Sequence, residues 1–406
     1  MDFSITYHFF PLKYELMQTV LIIQRILPYY RIKLFCQLRH KLALHGISLK
    51  LIYGQEKMGT VPRTQHIDEP WAVRVENQYW ALGKQELVWQ PVLKYVLGVD
   101  SIIVEQANRL LVNHCLLLRR KFTNRPQIAY WGHGKNLQAK NKHSSRERLK
   151  HRLLGQADWW FAYTSISAKV VAGAGFSKDR ITNVQNTIDV LEFSEAKERT
   201  DQAAIARLKT NLGLKGKNVC LYCGGIYSEK RILFLLEACL KIKYLLPDFE
   251  MIIVGDGPDQ HLVETAARTT HWLHYVGPKH GVDRVPFFLM SKALLMPGMV
   301  GLAVVDSFVA GTPLFTTDIP IHSPEIAYLV NGVNGGITPN STDAYANAVV
   351  EYLTSESMQT LMQRGCEESA KKYSLENMVD HFTAGIRAWL EGPVYRKGNS
   401  DTVTTG

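Results

Sequence analysis

PGMVGLAVVDSFVAGTP, residues 297–313, begins where an apolar run, 293–296, gives out and ends on a Gly-Thr-Pro stop. It reads as a buried strand breaking into a glycine-containing loop and then a helix, an arrangement that points backbone N–H groups at an anion. Gly298 and Gly301 let the main chain come close to a ligand. Leu302, Ala303, Val304 and Val305 give the helix an apolar underside, and Asp306 falls about one turn inside it, where a carboxylate can hold ribose or sugar hydroxyls. The same pattern also fits a plain loop-to-helix connection in an α/β domain with no ligand.

Outward from this stretch, strand-like runs at 219–223, 250–254, 273–276, 293–296 and 313–316 alternate with helical patterns such as 231–244. Nearer the N-terminus, 20–23 reads as a strand, 27–31 as a loop, the following segment to His45 as an amphipathic helix, and 49–53 as the next strand. Further strands are expected at 101–105, 127–131 and 159–163. Such alternation implies parallel sheets covered by helices, in two Rossmann-like halves whose strand ends face one another across a cleft. Strand pattern is absent at 190–217, so the expected domains are 1–190 and 218–375 with 191–217 as linker. Residues 376–391 are expected to form a C-terminal helix packing back on the first domain, and 392–406 a disordered polar tail.

The chain has 406 residues, 46% hydrophobic and 21% charged, the balance of a folded two-domain protein. No secretory signal and no apolar run of about 18 residues are seen, which argues against a membrane-spanning protein. Six scattered cysteines suit a reducing cytosol. Cys220 and Cys223 lie in one strand with side chains on opposite faces, so they read as core rather than a metal pair. The net charge of +10 is uneven: residues 1–190 hold 27 Lys and Arg against 13 Asp and Glu, whereas the remainder hold 20 against 24. Within 119–152 stand eleven basic residues and one acid, Glu147. Such a surface suits phosphate groups, of which an anionic membrane and a lipid-linked diphosphate are the expected bearers. No helix-turn-helix, zinc-finger or RNA-binding pattern accompanies the charge, so nucleic acid is not an expected partner.

Two further segments carry chemistry. Gly224-Gly225-Ile226-Tyr227-Ser228-Glu229-Lys230-Arg231 leaves a strand and introduces a helix, with glycines for close approach and Lys230 as a full charge at a helix start. Trp131-Gly132-His133-Gly134 sets a histidine between glycines at another strand end.

These segments resemble glycosyltransferase family 4, bacterial sugar transferases of the GT-B fold. The family's Glu, seven residues, Glu pattern before Gly-x-Pro is similar to 298–313, its second Glu falling on Asp306 and its first on Gly298. Its G-R-L-x-x-x-K-G loop is similar to 224–231, with Gly225 for the Arg and Arg231 for the last Gly. Val254-Gly255-Asp256-Gly257-Pro258, Asn186-Thr187-Ile188-Asp189, and the Pro324, Glu325, Gly332 run resemble other family segments. Glu325 is read as structural, and Gly277 as backbone around the nucleotide base.

The resemblance implies a retaining, metal-independent hexosyltransferase using a UDP- or GDP-linked sugar, and no cofactor. Lys230, Arg231, Gly224, Gly225 and the amides of Gly301, Leu302 and Ala303 would meet the diphosphate, Asp306 the ribose and His133 the transferred sugar. The absence of any D-x-D fits that expectation. The subgroup it is most similar to builds surface polysaccharides such as O antigen and lipopolysaccharide. That implies a lipid-linked glycan acceptor and a cytoplasmic, peripheral location at the inner membrane face. Because Gly298 lacks the carboxylate of the pattern, two alternatives stand: a catalytically silent nucleotide-sugar-binding partner of another transferase, and a nucleotide-sugar hydrolase or epimerase.

Overall fold

Fifteen strands and twelve helices are seen in the computed structural model, which describes residues 17–60, 64, 66–83, 85–123, 125–134 and 157–392. The expected tail, the N-terminal residues read for a signal, and most of the basic stretch 119–152 lie outside the described residues. The chain opens with β1 (Gln18–Gln24), α1 (Ile32–Ala43), β2 (Ile47–Tyr53), β3 (Ala72–Arg74), β4 (Gln78–Leu82) and β5 (Gln85–Trp89). It continues with β6 (Ser101–Glu105), α2 (Leu111–Phe122), β7 (Gln127–Gly132), β8 (Trp159–Ala162), α3 (Ser165–Gly173) and β9 (Ile181–Asn183). The expected loop at 27–31 contains one 3-10 turn, Tyr29–Arg31. Seven of these strands form one sheet in the order β3-β2-β1-β6-β7-β8-β9, and β4 with β5 makes a separate antiparallel hairpin.

Helices α4 (Leu191–Arg199) and α5 (Gln202–Asn211) occupy the stretch expected to lack strands. Then come β10 (Asn218–Cys223), α6 (Ile232–Leu245), β11 (Phe249–Val254), α7 (Gln260–Thr269), β12 (Leu273–Tyr275), α8 (Val285–Leu289), β13 (Ala293–Leu295) and α9 (Ala303–Ala310). β14 (Leu314–Thr317), β15 (Gly335–Thr338), α10 (Thr342–Thr354), α11 (Glu356–Lys372) and α12 (Leu375–Glu391) close the chain. The second sheet runs β12-β11-β10-β13-β14-β15, every pair parallel.

All six residues of β10 and of β11 are buried, as expected for strands covered on both faces. Cys220 and Cys223 are both in this core, where burial pushes each thiol up to about 12. Each fully buried Leu, Ile or Phe contributes about 1.5–3 kcal/mol relative to exposure. The helices packed over the sheet start on polar caps: Asp201 accepts from the Ala203 amide, Ser341 from Ala344 and Ser355 from Met358.

The chain divides into two compact units. Among described residues, 17–131, 157–160 and 383–392 form the first, and 132–134 with 161–382 the second. No helix among the described residues is long and apolar enough to cross a membrane.

Four features were not foreseen from sequence: β3, β9, the β4–β5 hairpin and β15. The first two have only three residues. The hairpin's signal is a two-residue loop opened by Gly83, at φ +60, which the mixed composition around it obscures. β15 begins Gly335-Gly336, which reads as a turn. Glycine is needed there because a Cβ would lie 2.2 Å from the Leu314 carbonyl oxygen at 335 and 2.5 Å from the Phe315 ring at 336.

Gly365 tests this packing. Alanine in mid-helix normally gains about 1 kcal/mol over glycine, but here its Cβ would meet the Val333 carbonyl oxygen at 2.0 Å. Overpacking should win, so Gly365→Ala is expected to destabilise by about 2–3 kcal/mol in urea unfolding. Gly173→Ala, with nothing within 4 Å of the new methyl, is expected to gain a few tenths to about 1 kcal/mol.

Candidate functional site

In the second sheet the strand order reverses between β10 and β13, and ligands of open α/β sheets bind outside the strand ends at such a point. The loops leaving these two strands are in direct main-chain contact. The Met299 amide donates to the Glu229 carbonyl at 2.8 Å. A Cβ on Gly298 would stand 2.4 Å from the Glu229 oxygen and from the Lys230 carbonyl carbon and oxygen. Position 298, where the resembling pattern carries a carboxylate, therefore accepts no side chain in this backbone.

Lys230 reaches across the same junction. Its Nζ donates to the Met299 carbonyl at 2.5 Å, and its side chain lies 5.5 Å from the Tyr227 ring centroid. It is only 8% exposed, and burial lowers its pKa from the ordinary 10.5 to about 8. Arg231 is left-handed, φ +57 and ψ +50, the conformation that favours glycine and accounts for glycine at this place in the similar pattern. Its guanidinium donates to Thr317 Oγ1 at 3.1 Å and lies 4.3 Å from the Phe234 ring centroid.

The loop from β13 to α9 is braced from the end of β14. Thr317 Oγ1 donates to the Pro297 carbonyl at 2.6 Å, and the Ser323 amide to that of Val300 at 2.9 Å. His322 accepts the Val300 N–H on Nδ1, 3.1 Å, and donates from Nε2 to the Thr317 carbonyl, 2.8 Å, which assigns the neutral Nε2–H tautomer. With these groups used, the amides of Gly301, Leu302 and Ala303 open α9 without an acceptor among the described residues. Unpartnered donors at a helix start form a cradle for an anion.

The other expected residues are distributed around this junction. Gly224 and Gly225 follow β10; the Gly224 amide bonds the Val254 carbonyl, and the Gly225 carbonyl accepts from the Tyr222 hydroxyl at 2.6 Å. Gly277, at φ +71, accepts from the Gly255 amide at 3.0 Å, tying two strand ends together. Asp306 is buried and held by Arg284, Nη1 to Oδ2 at 2.7 Å and Nη2 to Oδ1 at 3.3 Å. Ribose hydroxyls meeting Asp306 would thus meet an already neutralised carboxylate. His133 is exposed, edge-on to Tyr163 at 5.4 Å, and lines a cavity of about 250 Å³ with Thr317, Asp318, Ser323 and several apolar residues, all in the second unit. Glu325 is buried and accepts from Asn186 Nδ2 at 2.6 Å.

Sequence reasoning missed Arg284, Thr317 and His322. Arg284 sits 22 residues from its partner and in no motif. The polar run Thr316-Thr317-Asp318 and the later His322-Ser323 was the available signal for the other two.

Residues 217–355 match the family described as Glycosyl transferases group 1. The chain is 27% identical over 309 residues to alpha-D-kanosaminyltransferase of Streptomyces kanamyceticus, covering 73% of this chain and 72% of the relative. It is 26% identical over 261 residues to 2-deoxystreptamine glucosyltransferase of the same organism, covering 60% of this chain and 57% of that one. Among solved structures, Anabaena HepE in complex with UDP superposes with a TM-score of 0.64 at 15% identity, over 92% of this chain and 100% of that one. The fold is GT-B, with two α/β domains built on parallel sheets, and the sequence matches support a glycosyltransferase.

The buried ammonium has a stability signature. Between pH 8 and 10.5 the unfolded chain keeps the Lys230 proton while the folded chain has released it, so folding stability gains with rising pH in that window. The stability of the wild type relative to Lys230→Met should therefore climb from pH 8 to pH 10 in urea unfolding. A pH-independent difference would show that Lys230 is solvated.

Proposed function

We propose that the protein transfers a hexosyl group from a UDP-linked sugar to a hydroxyl of a carbohydrate-like acceptor, with retention of anomeric configuration and without a divalent ion. The observation that carries this reading is the junction of the β10 and β13 loops. It combines one buried ammonium, a neighbouring guanidinium and three unpartnered amides at the sheet's reversal point. Negative charge develops on the departing diphosphate in the transition state, so donors already fixed in place there stabilise it more than the ground state. Lys230, Arg231 and the amides of Gly301, Leu302 and Ala303 take that role. Asp306, oriented by Arg284, meets the ribose, and His133 meets the sugar. UDP is chosen because the structural neighbour HepE was solved with it.

Two acceptor classes have support. The curated relatives are named for kanosaminyl transfer and for glucosyl transfer to 2-deoxystreptamine, which favours a small polyol or aminocyclitol. A lipid-linked glycan at an anionic membrane is favoured by the basic first half of the chain. Of that half's basic cluster, Arg120 forms a bidentate pair with Asp158, and Arg125 pairs with Asp100. Those two cations are thus engaged within the protein, and the small acceptor is the preferred reading because the relatives' names point to it.

Incubating the protein with UDP-hexoses separates the alternatives: transfer needs an acceptor, hydrolysis does not, and a silent protein only binds. Turnover unchanged in EDTA is expected; loss restored by magnesium would contradict metal independence. Lys230→Ala should lower kcat/KM by about 10²–10³. UDP affinity of the wild type should weaken as pH rises through about 8 and stay level in Lys230→Arg, because arginine remains charged.

A further inference from the structure

Resting on the reading just given, we infer that the 250 Å³ cavity beside the donor loop receives the hexosyl ring, and that Asp318 is its hydroxyl-binding carboxylate. The cavity adjoins the phosphate-binding junction through its own walls. Thr317 lines it while bonding both Arg231 and the Pro297 carbonyl. Ser323 lines it while its Oγ stands 3.5 Å from where a Cβ of Gly301 would be. His133 stands on its rim.

The volume is below the roughly 300 Å³ at which pockets for drug-sized ligands begin, which suits one sugar ring. The Asp318 amide donates to the Thr338 carbonyl at 2.7 Å, so its backbone is fixed as a continuation of the strand pair β14 and β15. Among the described residues, neither the Asp318 carboxylate nor the Ser323 hydroxyl has a hydrogen-bond or ion-pair partner in the protein. An ionised carboxylate accepts from two neighbouring hydroxyls at once. Ile166, Val170, Ile319 and Pro324 around it would pack on the C–H face of the ring. No carboxylate can enter from position 298, which the 229–230 backbone closes.

The experiment is calorimetric titration of UDP, UDP-glucose, UDP-galactose and UDP-N-acetylglucosamine into wild type, Asp318→Asn and Lys230→Met at pH 7, with thermal unfolding as the folding control. At least one of the three sugars is expected to bind the wild type more tightly than UDP does. Asp318→Asn should reduce that advantage about tenfold, the range of a lost hydrogen bond to a charged group, and leave UDP affinity unchanged. The inference is overturned if Asp318→Asn keeps the advantage, or if no sugar shows one. If UDP itself fails to bind, or binds Lys230→Met equally well, the nucleotide reading has failed instead, and the inference falls with it.

Discussion

The closeness of two main-chain turns, the one at Glu229 and Lys230 against the one at Gly298 and Met299, is the constraint on which the candidate site depends. A backbone hydrogen bond of 2.8 Å and the Lys230 ammonium on the Met299 carbonyl join the turns, and a glycine with no room for a methyl group lets them meet. Because β10 and β13 are adjacent in a parallel sheet, both turns leave the same edge. The register of Cys220 with Ala293 and Leu221 with Leu294 sets how far each runs before they touch.

This contact has a cost that the surroundings offset. Holding an ammonium with 8% exposure removes hydration that one carbonyl replaces only in part, and the depressed pKa expresses that deficit. Arg231 adds backbone strain of about 1–2 kcal/mol by occupying the left-handed region. The bracing by Thr317, His322 and Ser323 keeps the opposite loop in place. An under-solvated cation beside unpartnered amides gains most when an anion arrives, which links the strain of the free protein to binding.

Much of the architecture was legible because strands buried on both faces leave uninterrupted apolar runs. β6 was read to the residue, and β10 and β11 to within one. What escaped had signals of another kind: β15 hides behind glycines demanded by neighbouring backbone, and the β4–β5 hairpin pairs outside the two main sheets. At the site, Lys230, Arg231 and Gly301 could be found because glycine and cation spacing near strand ends is local in sequence. The Asp306–Arg284 pair and the His322 brace, each spanning 22 residues, are made by tertiary proximity that no local pattern encodes. Asp318 belongs with them, since a lone exposed acid acquires meaning only from the cavity it lines.

The most direct test of the central claim is amide hydrogen exchange of the protein with and without UDP. Slowed exchange at Gly301, Leu302 and Ala303 together with the 224–231 turn is the predicted result, since these amides and this turn would close on the diphosphate. Slowed exchange confined to other segments, such as the cavity of the first unit around Trp89 and Tyr95, would contradict the account.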